Sequence, residues 1–227
     1  MNSHLHPALA GRNLFLVDMD DTLFEEADFV LSGLRAAAAL AAQWGIDPRS
    51  AENFLCARFR SAGRAHIFDR LLAAHSIPPD PAKIDALVCA YREHLPSISP
   101  YTGALETLSA LRSLGRVVVV TDGMESVQRR KFAALGLPAL VDSAVYCAGL
   151  GHPKPDPAAL AGVVRPGDPA AIFVGDRPDH DLALAAALRI DSVRVRTGRF
   201  RDRPNDPWKP VADVPSFAAL ANNPKNP

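Results

Sequence analysis

The chain reads as an α/β protein: a doubly wound parallel sheet interrupted by an inserted all-helical domain. Three observations predict this. Short apolar runs at 14–17, 117–120 and 171–174 have the composition of strands buried on both faces of a sheet. Residues 25–99 carry helical patterning, with Pro or Gly at the boundaries and no strand. From residue 101 strand and helix alternate, which implies parallel strands, right-handed crossovers and helices on both faces. The predicted division is a core of residues 1–24 and 100–227, with residues 25–99 inserted.

Taken in order, residues 1–12 read as a disordered lead-in. Leu14, Phe15, Leu16 and Val17 form a short buried strand that ends in three carboxylates, Asp18, Asp20 and Asp21. After Phe24 the period lengthens: Phe29, Leu31, Leu34, Ala38 and Leu40 fall near a 3.6-residue repeat through Trp44, and Gly45 stops the helix. Further helices are predicted over 48–62, 66–75 and 81–94. A helix over 101–114 ends at Gly115, and Val117 to Val120 make a strand closing on Thr121, Asp122 and Gly123. Next come a helix over 125–135, a strand over 144–146, a loop through Lys154 and a helix over 157–164. The strand 171–174 ends in Gly175 and Asp176, a helix over 179–188 leads to the strand 192–195, and a loose tail begins near Asn222.

Composition narrows the function classes. The 227 residues are 48% hydrophobic, ample for a core, and Lys+Arg equals Asp+Glu at 25 each. Such balance argues against a nucleic-acid polymer or an acidic membrane surface as partner and points to a small ligand. The longest apolar stretch, 36–42, is far shorter than a membrane span, and the N-terminus has no basic-then-apolar signal. Cys56, Cys89 and Cys147 are odd in number, widely spaced and without a metal pattern. They read as reduced, buried thiols of a cytoplasmic protein.

Ligands of a parallel sheet collect at the carboxyl ends of its strands. There the sequence places Asp18, Asp20, Asp21 and Thr22, then Thr121, Asp122 and Gly123, then Gly175 and Asp176. Carboxylates crowded into a poorly hydrated site either splay into water or hold a hard cation such as Mg2+. Lys154, between Pro153 and Pro155, is a cation in a stiffened loop. Thr121 offers a hydroxyl or a helix cap, and Gly123 permits close approach of an anion to the backbone. Asp176 and Asp181 bracket a turn; Asp179 reads as a helix cap and His180 as a hydrogen-bond partner or solvent-facing group. In the inserted segment, Arg58, Arg60, Arg64, His66 and Arg70 either reach a second anionic or polar group on a substrate or form a solvated helix face.

The pattern DxDx[TV] at 18–22, an apolar strand ending in Thr121, Lys154 before Pro155, and GDxxxxD at 175–181 resembles the haloacid dehalogenase-like hydrolase superfamily. The four motifs occur in the family's order. The inserted segment lies where that family carries a helical cap domain on its Rossmann-like core. Asp21 departs from the glycine that many members have there. Gln128, Arg130 and Lys131 after Thr121, Asp122 and Gly123 are similar to the nucleotidase and sugar-phosphate phosphatase branch.

The resemblance implies a chemistry. Asp18 would attack phosphorus and form an aspartyl-phosphate; Asp20 would protonate the leaving oxygen and then deprotonate water. Mg2+ would be held by Asp18, the Asp20 backbone carbonyl and Asp176. Thr121, Asp122, Gly123 and Lys154 would hold the phosphoryl group, and Asp181 would orient Lys154 or a metal-bound water. Dehalogenases lack the second acid, since a carbon–halogen bond needs no protonated leaving group, so Asp20 favours phosphoryl transfer. A phosphonate-cleaving relative needs a cap lysine, and the segment has only Lys83, placed late. The expectation is a magnesium-dependent phosphatase of a small phosphorylated metabolite, a nucleoside monophosphate or sugar phosphate. The alternatives are a phosphomutase built on the same residues and a non-catalytic binder of a phosphorylated ligand.

Overall fold

The computed structural model describes residues 5–78 and 80–221. The predicted tail from Asn222 and the first four residues of the predicted lead-in lie outside the described residues. In chain order the elements are β1 (Leu14–Val17), α1 (Glu26–Ala41), α2 (Pro48–Ala62), α3 (Ile67–Ala74), α4 (Pro81–Glu93), α5 (Ala104–Leu114), β2 (Arg116–Thr121), α6 (Glu125–Ala134), β3 (Ser143–Tyr146), β4 (Ala171–Gly175), α7 (Ala183–Leu188), β5 (Asp191–Val195) and β6 (Ala212–Val214). They group into two compact units, one of residues up to Glu26 and from Ile98 onward, the other Ala27–Ser97.

The first unit is built on a six-stranded sheet, parallel throughout, in the order β3-β2-β1-β4-β5-β6. Every residue of β1 and β4 is buried, as are Val117 to Val120. That double-sided burial is why these strands are continuous apolar runs rather than alternating ones. Leu16, Val118, Val120 and Phe173 of the sheet pack with Leu160, Leu184 and Leu188, each large side chain contributing about 1.5–3 kcal/mol by leaving water.

Four expectations need correction in this unit. Residues from His6 are ordered: the His6 N–H donates to the Leu220 carbonyl, and Leu9 is buried. The predicted helix over 157–164 is a single 3-10 turn, Pro157–Leu160, because Ala161 leaves helical geometry with a ψ of 111° and Gly162 has a left-handed φ of 92°. The helix expected from residue 179 opens as a wide π-type turn, Pro178–Leu182, before α7 begins. β6 went unpredicted. It is three residues long, set among Pro204, Pro207, Pro210 and Pro215, and sits at the sheet edge, where proline is tolerated.

The second unit is helical. Val30, Leu34, Ala37, Ala38 and Ala41 form the buried stripe of α1, meeting Leu55, Phe68, Leu71 and Leu87 from the other helices. Asp47 caps α2 through the Ser50 N–H at 2.8 Å, and Asp80 caps α4 through the Ala82 N–H at 2.9 Å. Arg58 is half-buried, Arg60, Arg64 and His66 are exposed, and Arg64 donates to the Tyr91 hydroxyl at 3.1 Å. Of the three cysteines only Cys147 is buried. Cys89 is exposed because it lies two positions, roughly 200° around the helix, from the inward Leu87. No described helix is long and apolar enough to cross a membrane.

Candidate active site

Val17 stands opposite Val119 of β2 on one side and Val174 of β4 on the other. The residues just past each of these strands are therefore delivered to one rim. The ladder runs one residue past β1, the Asp18 N–H donating to the Val174 carbonyl at 2.9 Å, so the Asp18 backbone is fixed by the sheet itself.

Lys154 converges on the same spot. Its Nζ lies 2.5 Å from Asp18 Oδ1 and 2.7 Å from Asp181 Oδ1, and it donates a longer bond to the Val120 carbonyl at 3.4 Å. All three charged side chains are buried. The loop that carries Lys154 is held by Asp122, whose carboxylate accepts the Lys154 backbone N–H at 3.0 Å and lies 3.3 Å from His180 Nδ1. A carboxylate has no donor for a phosphoryl oxygen, so the Asp122 side chain serves the loop, and a phosphate contact by this cleft-lining residue would fall to its backbone N–H. Gly123 lines the cleft with a φ of 105°, open to glycine and strained for other residues.

Asp181 is brought back by the π-type turn. Its Oδ2 accepts the Arg177 N–H at 2.9 Å, so both carboxylate oxygens have donors. Gly175 is required beneath it, since a Cβ there would collide with the Asp181 carboxylate. Asp176 differs: its Oδ2 is buried and has no hydrogen-bond partner. Oxygens of Asp18, Asp176 and Asp181 all lie within 4.8 Å of one another.

The electrostatics follow from burial. Loss of water pushes the Asp176 carboxyl up to about 10, with Asp181 and Asp18 adding repulsion. Burial likewise pushes Asp18 up to about 8, against the pull of Lys154. For Lys154 burial favours the neutral amine, but the two carboxylates outweigh it and hold the ammonium well above its usual range. One ammonium facing three buried carboxylates leaves the cluster short of positive charge. A divalent cation would supply what is missing, and the orphaned Asp176 Oδ2 is an oxygen ligand suited to one.

Asp20 points elsewhere. Its Oδ1 accepts from Lys131 Nζ and its Oδ2 from Gln128 Nε2, each at 2.6 Å. Gln128 Nε2 is also 2.6 Å from Thr121 Oγ1. Thr121 is buried and is not among the residues lining the cleft; its link to Asp20 runs through Gln128. Asp21 has a left-handed φ of 57°, which explains why glycine suits the position and why Asp, tolerant of that region, can replace it. Its carboxylate accepts the Glu26 N–H at 2.8 Å and the Arg199 N–H at 3.3 Å, joining the start of α1 to the loop after β5.

That loop and the segment after β4 add residues the sequence did not announce. Arg177 and Arg199 stack on Phe200, their guanidinium carbons 4.9 and 4.6 Å from the ring centroid, and all three line the cleft. Nothing in their spacing ties them to the motifs. The substrate cations expected on the inserted segment, Arg58, Arg60, Arg64 and His66, belong to the helical unit Ala27–Ser97, whereas every residue lining this cleft belongs to the sheet unit.

Known proteins are similar to this chain in sequence and in fold. A family model described as haloacid dehalogenase-like hydrolase matches residues 13–189. Glyceraldehyde 3-phosphate phosphatase of Methanopyrus kandleri is 30% identical over 217 residues, covering 89% of this chain and 90% of that one. The enzyme of the same name from Methanocaldococcus jannaschii is 30% identical over 202 residues, covering 85% and 89%. Among solved structures, the HAD-hydrolase YfnB from Bacillus subtilis bound to magnesium superposes with a TM-score of 0.66 at 17% identity, over 92% of this chain and 96% of that one. At that identity the likeness establishes the fold alone.

Proposed function

The chain belongs to the haloacid dehalogenase-like hydrolase family, and from that premise we propose that it is a magnesium-dependent phosphatase of a small sugar phosphate, working through an aspartyl-phosphate. The observation that carries the reading is the Lys154 bridge between Asp18 and Asp181, at 2.5 and 2.7 Å, beside the orphaned Asp176 oxygen. The two relatives named for a triose phosphate tilt the substrate from nucleotide toward sugar.

In this reading Lys154 holds Asp18 in place through Oδ1, and Asp181 holds Lys154. An Asp18 oxygen attacks phosphorus while the leaving oxygen takes a proton from Asp20; Asp20 then removes a proton from the water that frees Asp18. Asp18, Asp176 and the Asp20 backbone carbonyl would hold magnesium, which when bound neutralises charge on the phosphoryl oxygens. Thr121 and Gly123 are the candidate anchors for the phosphoryl group, together with Lys154. The helical unit Ala27–Ser97 occupies the sequence position of the family's cap, between the first and second motifs, and takes that role here, with Arg58, Arg60, Arg64 and His66 as candidate substrate contacts. A cytoplasmic setting fits a metabolite substrate.

The test is phosphate release from a panel of triose, hexose and nucleoside phosphates. Release is expected with magnesium, strongest on the sugar phosphates, and abolished by chelator and by Asp18→Asn. No release from any member of the panel would overturn the proposal.

A further inference from the structure

The buried side chains of α6 are Gln128 and Lys131. A helix laid on a sheet ordinarily buries apolar residues, and taking an amide and an ammonium out of water is unfavourable unless both are partnered. Here both partners are on Asp20. Spaced i and i+3, the two side chains share one helix face and each takes one Asp20 oxygen at 2.6 Å. A carboxylate can only accept, so the Gln128 amide must present its NH2 end to Asp20. Neither Gln128 nor Lys131 lines the cleft, whereas Asp20 does.

We propose that Gln128 and Lys131 are positioning residues that clamp Asp20 for proton transfer, so that this protein is fitted to esters whose leaving alkoxide must be protonated. The inference rests on the phosphatase reading and deepens it. As the bond from phosphorus to the leaving oxygen breaks, an Asp18 oxygen bonds to phosphorus and the Asp20 proton passes to the departing alkoxide. Asp20 is left as a carboxylate facing the Lys131 ammonium, which balances the new charge until the carboxylate takes a proton from the attacking water. By accepting from Gln128, Thr121 Oγ1 keeps its own proton for another acceptor. Fixing the acid at both oxygens confines it to one geometry, the condition under which proton transfer in the transition state is effective.

The experiment measures kcat/KM, which covers the steps through phosphoryl transfer to Asp18, for Lys131→Met and Gln128→Leu. The substrates are phosphate monoesters graded from p-nitrophenyl phosphate to simple alkyl phosphates. Alkyl esters should lose about 10²-fold, while p-nitrophenyl phosphate, whose leaving group needs no proton, changes little. The Lys131→Met loss should vanish when Asp20→Asn is already present. Thermal midpoints show which variants are folded; if Lys131→Met is not, Gln128→Leu alone decides. An equal loss across the series, or no loss, would overturn the clamp. A wild-type protein inactive on every ester would instead overturn the phosphatase reading on which it rests.

Discussion

Lys154→Met removes a buried cation while keeping a side chain of similar length. The wild-type Lys154 side chain is 4% exposed and lies 2.5 and 2.7 Å from two carboxylates whose own side chains are 6% and 2% exposed. The variant leaves Asp18 and Asp181 facing each other beside Asp176 with the ammonium gone. Breaking a buried pair by deleting one partner destabilises by about 3–5 kcal/mol, since the remaining charge stays buried. At about 2–4 °C per kcal/mol for a chain of this size, the thermal midpoint should fall by roughly 6–20 °C in metal-free buffer. Thermal and urea unfolding followed by circular dichroism measure it. Adding Asp181→Asn removes one of the repelling charges and should recover part of the loss, a coupling that a double-mutant cycle reads directly. A cost below about 1 kcal/mol, the range of exposed pairs, would refute the view that Lys154 is the buried counter-charge of this rim.

Magnesium at 100 times its dissociation constant should stabilise the wild-type fold by about 2.7 kcal/mol, a rise of roughly 5–10 °C in midpoint, and Asp176→Asn should lose most of that rise. Burial raises the Asp21 carboxyl from 3.8 to about 6 against the Glu26 and Arg199 N–H donors. The folded state then holds its proton longer than the unfolded chain does, so this group's contribution is complete below about 4 and is lost as pH rises through about 6. Asp21→Asn should therefore gain on wild type in unfolding free energy between pH 4 and 7, and a difference independent of pH would contradict this. Gly175→Ala places a methyl group against the Asp181 carboxylate and should cost about 1–3 kcal/mol, measured by urea unfolding, with a fall in phosphate release as Lys154 loses its support.

How much was legible in the sequence depended on how local the signal was. The predicted helix over 48–62 matches α2, Pro48–Ala62, because Asp47, Pro48 and Gly63 mark its ends chemically. β1, β2 and β4 were legible because burial on both faces demands unbroken apolar runs. β6 was not, since three residues on an edge need no such pattern. Within the site, Asp18, Lys154, Asp176 and Asp181 were reachable from strand ends and a stiff loop. Gln128 and Lys131 were marked only by their likeness to a phosphatase branch; that they meet Asp20 was not legible, because Lys131 lies 111 residues from it and an amide and a lysine on a helix ordinarily face water. The π-type turn at Pro178–Leu182 was hidden for a related reason: besides the local Arg177 N–H, it answers to the bond from Lys154 to Asp181, 27 residues away, which is a tertiary fact.

The strand order explains why these charges meet at all. The chain runs outward from β1 to β2 and β3, then crosses back to place β4 on the other side of β1 and continues to β5 and β6. The reversal opens a crevice at the carboxyl ends of β1 and β4, where doubly wound sheets bind ligands. Neighbouring strands are about 4.8 Å apart, and Val17 pairs with Val174. Acidic residues just beyond each, at Asp18 and Asp176, are thus driven together by backbone geometry, whatever their side chains prefer. A fold that imposes that repulsion stays stable only where counter-charge is supplied. Lys154 brings one positive charge from the loop after β3, and a divalent cation at Asp176 Oδ2 would bring the rest. The same crowding of carboxylates that is unfavourable for the protein alone would favour a bound cation, so at this site the stability of the metal-free protein and the affinity for a metal should trade against each other.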